Sequence, residues 1–268
     1  MDGPQRIVSL GGDLTEIVVA LGAEDRIVAR DSTSSYPASV QALLDVGYVR
    51  ALNAEGILAL SPTLVIASAE AGPPEALDQL RAAGVDIVVP PSGYTQKALL
   101  ARIDMIGDAL GAESEADALE ADLTRKMEAA TRPTTGSDKP KVLFLLSGRD
   151  GSPMAAGTET AAHAMIQLAG GRNVFDTHSG YKAYSFEAMA AAAPDVIMMM
   201  DHSLTQLGGL KGLSEHPAIG LTPAARNGRI VASDGTFLLG FGPRLPEAIS
   251  FVAEGFHSAA EPSGPVAP

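Results

Sequence analysis

The order of apolar and polar positions divides the chain into short β-rich runs separated by helical stretches. Residues 6–10 (RIVSL) form the first apolar run, and Gly11-Gly12 turn the chain into DLTEIVVALG. The spacing there predicts a helix with Asp13 or Thr15 as its N-terminal cap and Gly22 as its stop. Further strands are expected at 26–30 (RIVAR), 63–68 (TLVIAS) and 85–90 (VDIVVP). Helices are expected between the last three, at 54–60 and 74–83, ended by Pro62 and Gly84. Such alternation predicts parallel βα units.

From 95 to 131 the pattern is helical throughout. Leu99, Ile103, Ile106 and Leu110 share one face, and Ala116, Leu119, Leu123 and Met127 share another, with Gly111 between the two segments. The polar, turn-rich TRPTTGSDKP (131–140) then precedes KVLFLLSG (141–148), which opens a second βα series. Later strands of that series are expected at 195–200 (DVIMMM) and 229–234 (RIVASD), and the terminal EPSGPVAP reads as a frayed tail.

An internal echo organises these elements. LNAEGILALSPTLVIA (52–67) lies over YSFEAMAAAAPDVIMM (184–199) without a gap, so Glu55 matches Glu187 and Pro62 matches Pro194. The match is too sparse for a solenoid repeat. It predicts two Rossmann-like α/β lobes joined by a long helix: an N-terminal lobe at 1–112, a connecting helix at 113–135 and a C-terminal lobe at 136–268.

Composition narrows the function. With 46% hydrophobic residues the chain buries a substantial core. A formal charge of −13 argues against binding nucleic acid or an anionic membrane, because phosphate contacts need clustered Lys and Arg. The absence of cysteine excludes disulfides, thiolate-held iron–sulfur clusters and zinc ribbons. No apolar run reaches the length of a membrane span. The opening MDGPQRIVSL carries no signal peptide, and Met-Asp-Gly reads as standing in place of one that was removed.

Enzyme signatures are missing: there is no G-x-S-x-G elbow, no phosphate-binding G-x-x-x-x-G-K-[ST] loop, no H-E-x-x-H helix and no complete dinucleotide fingerprint. His163, His178, His202, His216 and His257 lack metal-ligand spacing. His178 stands out only because THSGYKAYS sets it in a polar loop near two tyrosines and a lysine.

Tyr48, in DVGYVRALNAEG, admits two readings. One is an aromatic plug whose hydroxyl finds a backbone partner. The other is a ligand to a hard, oxidised metal, because a phenolate binds ferric iron strongly and haem iron is held by tyrosine in some proteins. Forming a phenolate near neutral pH means depressing a reference pKa of about 10, and a guanidinium nearby helps by favouring the charged form. Arg50 in the same loop and Arg244 in GFGPRLP are the candidate guanidiniums.

These residues sit in segments similar to a known family. RIVSLGGDLTEIVVALGAEDRIVARDSTSSYP, VGYVRALNAEGILALSP, AEAGPP, LDQLRAAGV, AAGTETAAHAMIQLAGGRNV, GYKAYSFEAM and LLGFGPRLP together resemble the periplasmic haem-binding proteins of bacterial ABC-type importers, within the helical-backbone substrate-binding group. The resemblance implies a ligand cleft between the lobes that holds ferric haem b as transported cargo. It implies Tyr48 as the axial iron ligand and Arg244 as a hydrogen-bond donor to the phenolate. Lys182, Arg149 and Arg50 are the basic candidates for the propionates. Glu55 and Glu187 match the one-per-lobe glutamates that dock onto an inner-membrane ABC permease. A periplasmic location and no catalytic activity follow from the same likeness. One departure is the loop LLSGRDGSP, which lacks the histidine that some relatives supply there. Tyr36, before a proline, suits a turn rather than a ligand. The alternatives are the same scaffold carrying a ferric siderophore or a corrinoid, and a two-lobe α/β enzyme using His178 with Asp176.

Overall fold

The computed structural model describes residues 5–131, 139–147 and 152–256. They form two compact units. The division falls inside a long helix, between Arg125 and Lys126, and the short segment Gly240–Pro243 belongs with the first unit.

In the first unit the chain runs β1 (Ile7–Leu10), α1 (Gly12–Ala20), β2 (Ile27–Arg30), β3 (Leu44–Asp45), α2 (Ala54–Leu58), β4 (Leu64–Ala67), α3 (Pro74–Ala82), β5 (Asp86–Val88) and α4 (Gln96–Leu110). The strands pair in the order β3-β2-β1-β4-β5, all parallel. Every residue of β1 and β4 is buried, which is why both read as unbroken apolar runs rather than alternating ones. On one face Leu10, Val65, Ile57 and Leu80 pack together, each fully buried or nearly so, and each contributes about 1.5–3 kcal/mol through burial.

Helix α5 (Glu113–Ala130) follows α4 after Gly111, whose φ of 64° closes α4 in the left-handed conformation glycine adopts freely. The second unit then contains β6 (Lys141–Ser147), β7 (Pro153–Ala156), α6 (Ala161–Leu168), β8 (Arg172–Asn173), β9 (Tyr181–Ala183), α7 (Phe186–Ala191), β10 (Val196–Met200), α8 (Asp201–Gln206), α9 (Gly209–Glu215), α10 (Pro223–Arg226), β11 (Ile230–Ser233), α11 (Gly235–Leu239) and α12 (Leu245–Gly255). Strands β8, β6, β10 and β11 are parallel neighbours. Antiparallel β7 and β9 extend the sheet from β6.

The echo in the sequence is an echo in the backbone. The order β2-β1-β4-β5 of the first sheet recurs as β8-β6-β10-β11 in the second. Ser61 and Ala193, which stand at matching places before Pro62 and Pro194, adopt φ of 49° and 47°. Each donates its N–H to the carbonyl three residues back, Leu58 and Ala190 respectively. Both halves therefore end the helix with a non-glycine residue in the left-handed region and let proline lead into the strand.

One expectation fails locally. Neither Asp13 nor Thr15 caps α1; the N-cap is Gly11, at φ 136°, with no side-chain cap. The Gly11 N–H instead donates to Asp31 (2.9 Å), and Thr15 bonds to Ser9 and Ser34 at 2.6 and 2.7 Å. Asp13 faces Arg102, with Nε 3.5 Å from Oδ2. Arg102 also fastens the returning segment Gly240–Pro243, donating to the Phe241 carbonyl at 2.6 Å and to Gly93 at 3.1 Å. Burial pushes the Asp13 carboxyl up and the Arg102 guanidinium down, each against the attraction of the other. The carbonyl bonds offset what the ion pair alone leaves uncompensated.

Helices α4 and α5 are in tight contact at Gly107, where an added Cβ would stand 2.6 Å from the Ala116 Cβ. Gly107→Ala is therefore expected to lower stability by about 1–3 kcal/mol through overpacking. Urea unfolding checks this: a lower midpoint with the same slope is expected, and an unchanged midpoint would contradict the close contact.

Candidate functional site

The loop that carries Tyr48 is built to expose alternate side chains. Val49 and Leu52 are each 6% exposed and sit in the core, while Tyr48 and Arg50 project outward from the same short stretch. Gly47 enters the loop at φ 94°, in the left-handed region, and its N–H is held by Asp45 Oδ1 at 2.8 Å. Main-chain bonds fix the path on both sides. Ser32 N–H donates to Gly47 (2.9 Å), Ala51 N–H to Tyr48 (2.7 Å), Gly72 N–H to Val49 (2.9 Å), and Leu52 N–H to Gly72 (2.8 Å). Arg30 supports the loop's base through Asp45, at 3.0 Å.

Arg50 Nη1 donates to the Tyr48 hydroxyl, and its guanidinium carbon lies 5.7 Å from the centre of the Tyr48 ring. Arg50 Nη2 pairs with the Glu70 carboxylate. Tyr48 retains 37% of its surface exposed, so the phenol is both accessible and hydrogen-bonded to a cation. Tyr36 is also exposed, at 47%, and begins the cis Tyr36-Pro37 turn.

The remaining sequence-predicted residues lie in the second unit. Arg244 is the N-cap of α12, and its guanidinium lies 5.2 Å above the Phe237 ring. Lys182 is exposed on β9, in register with Ala155 of β7. Arg149, His257 and the terminal tail lie outside the described residues. The ring of His178 packs on Phe175, and its Nδ1 is 3.2 Å from the Tyr184 hydroxyl. The described hydrogen bonds of His178 go to Thr158 and Tyr184, and none of them joins it to Asp176.

Glu55 and Glu187 occupy the same place in their two helices. Each is exposed and is the second residue after an N-cap, Asn53 in one case and Ser185 in the other, whose side chain accepts from the first turn. Glu70, Arg102 and Asp31 were not singled out by sequence reasoning. The AEAGPP segment marks the Glu70 neighbourhood, but nothing in it points to a partner twenty positions away.

A family model described as periplasmic binding protein matches residues 7–235. The chain belongs to the periplasmic binding protein family, whose members are non-enzymatic transport components. Its structure is similar to that of the periplasmic heme-binding protein BhuT in complex with two hemes, with a TM-score of 0.90 and 41% identity over 95% of this chain and 98% of that one. It is 29% identical to an uncharacterized ABC transporter substrate-binding lipoprotein of Bacillus subtilis, YvrC, over 95% of this chain and 80% of that one. It is 26% identical to the vitamin B12-binding protein of Vibrio parahaemolyticus, over 95% and 90% of the two chains. No helix among the described residues is long and apolar enough to cross a membrane.

Glu187 provides a titration that reports on the helix start. Its own backbone N–H, and then the Ser185 hydroxyl, hold the carboxyl below the usual glutamate range. The contribution is present above that range and is lost as the pH falls through the lowered value. Carbon-13 NMR titration is expected to place Glu187 below an ordinary glutamate and to move it up in Ser185→Ala. An unchanged value in the variant would remove the serine from this role.

Proposed function

We propose that the chain is the substrate-binding protein of an ABC importer and that its cargo is ferric haem b, bound through the Tyr48 phenolate. One observation carries this reading: an accessible tyrosine hydroxyl that already accepts a hydrogen bond from a guanidinium. Ferric iron supplies most of the driving force for deprotonating a coordinated phenol, and the Arg50 charge adds to it. Support also comes from the stronger likeness to a haem-binding protein, at 41% identity, than to a B12-binding one, at 26%. Arg244 is proposed as a further stabiliser of the phenolate, and Lys182 as a partner for a propionate. Arg50 is engaged with Tyr48 and Glu70, which suits it to the phenol oxygen better than to a propionate. The proposed location is the periplasm, which the family description names.

The corrinoid reading draws on the B12-binding relative. A corrinoid has no need of a tyrosine on iron, so the two readings separate cleanly. Titration with haemin and with cyanocobalamin is expected to give saturable binding of haemin alone. Tyr48→Ala is expected to lose the high-spin ferric phenolate absorption and to retain haem poorly, while Tyr36→Phe keeps both. An unaltered iron spectrum in Tyr48→Ala would overturn the assignment.

Delivery to an inner-membrane ABC permease is proposed to use Glu55 and Glu187, one exposed carboxylate at the same helix position in each unit. Single exposed ion pairs contribute about 0–1 kcal/mol, so losing one is tolerated. Charge reversal acts more strongly because it sets like charges together. Glu55→Lys combined with Glu187→Lys is expected to bind haem normally and to block uptake into vesicles containing the cognate permease. Uptake at the wild-type rate would show that these glutamates are ordinary solvated residues.

A further inference from the structure

Arg50 uses its two terminal nitrogens on different partners, Nη1 on the Tyr48 hydroxyl and Nη2 on the Glu70 carboxylate. A guanidinium is planar and its donors form a rigid fork, so an oxygen held on Nη2 sets the direction of Nη1. The backbone beside Glu70 is held in place. Its segment is laced to the Tyr48 loop by the Gly72–Val49 and Leu52–Gly72 main-chain bonds, and to β1 by Ser68 N–H donating to Leu10 at 2.8 Å. Ala71 and Gly72, the next residues, are buried. Arg50, by contrast, is a long side chain left 51% exposed, with many solvent-facing rotamers open to it.

We propose that Glu70 is a positioning residue for cargo binding: it holds Arg50 so that Nη1 is aimed at the Tyr48 oxygen. The same contact occupies the guanidinium and keeps it from the carboxylates of the cargo. Glu70 acts through Arg50 and touches neither iron nor porphyrin. This inference rests on Tyr48 being the iron ligand.

A double-mutant cycle separates the two claims. Haem release into excess apomyoglobin is measured for wild type, Glu70→Gln, Arg50→Gln and the double variant, with Tyr48→Ala beside them. Glu70 is exposed, with its side chain at 54%, so the neutral substitution leaves the core untouched. Because the ion pair is solvated, Glu70→Gln is expected to release haem about threefold to fivefold faster than wild type. It is expected to have no effect once Arg50 is Gln, and Glu70→Asp is expected to recover part of the loss. In the ligand-free protein, NMR is expected to show faster water exchange of the Arg50 side-chain N–H in Glu70→Gln. Equal release by wild type and Glu70→Gln, or the same factor in both Arg50 backgrounds, would overturn the positioning role. Retention of the iron spectrum by Tyr48→Ala would overturn the ligation reading instead.

Discussion

The site depends on one constraint, the burial of Val49 and Leu52 within an otherwise exposed stretch. With those two side chains in the core and their main chain tied to Gly72, the backbone path from Tyr48 to Leu52 is set. Tyr48 and Arg50 are left outward, one on each side of Val49, within reach of the hydrogen bond that joins them. A phenol held this way is pre-organised, which under the proposed ligation lowers the ordering entropy lost on binding cargo. Gly47 is part of the same device, since its left-handed φ lets the chain turn out of β3 and into the exposed stretch.

The two halves show how one local solution serves twice. A short helix, a left-handed terminal residue, a proline and an apolar strand recur with matching φ values at Ser61 and Ala193. The glutamates ride on that repeat, because each lies two residues after a cap whose side chain closes the first turn. The halves then diverge where chemistry differs. The Tyr48 loop sits between β3 and α2, and the corresponding region before α7 is filled by β9, His178 and Tyr184.

Most strands and helices were legible in the sequence because their apolar residues recur at the spacing of one buried face or fill a central strand completely. Strands β7 and β9 were not, since PMAA and YKA are too short to show alternation and gain their identity from pairing with β6 and each other. The cap of α1 was misread for a similar reason. The Gly11 N–H is claimed by Asp31, a residue on another strand end, and Asp13 is drawn to Arg102 on α4. At the site, Tyr48 and its nearness to Arg50 could be read from GYVR. Glu70 could not, because its contact depends on the fold bringing the β4–α3 connection against the Tyr48 loop.

Everything proposed for the site turns on Tyr48 binding the iron of ferric haem. A crystal structure of the haem-loaded chain tests it most directly. The Tyr48 oxygen is expected at bonding distance from iron, with Arg50 still donating to it. Iron bound by any other protein atom, with the Tyr48 hydroxyl free of the metal, would contradict it.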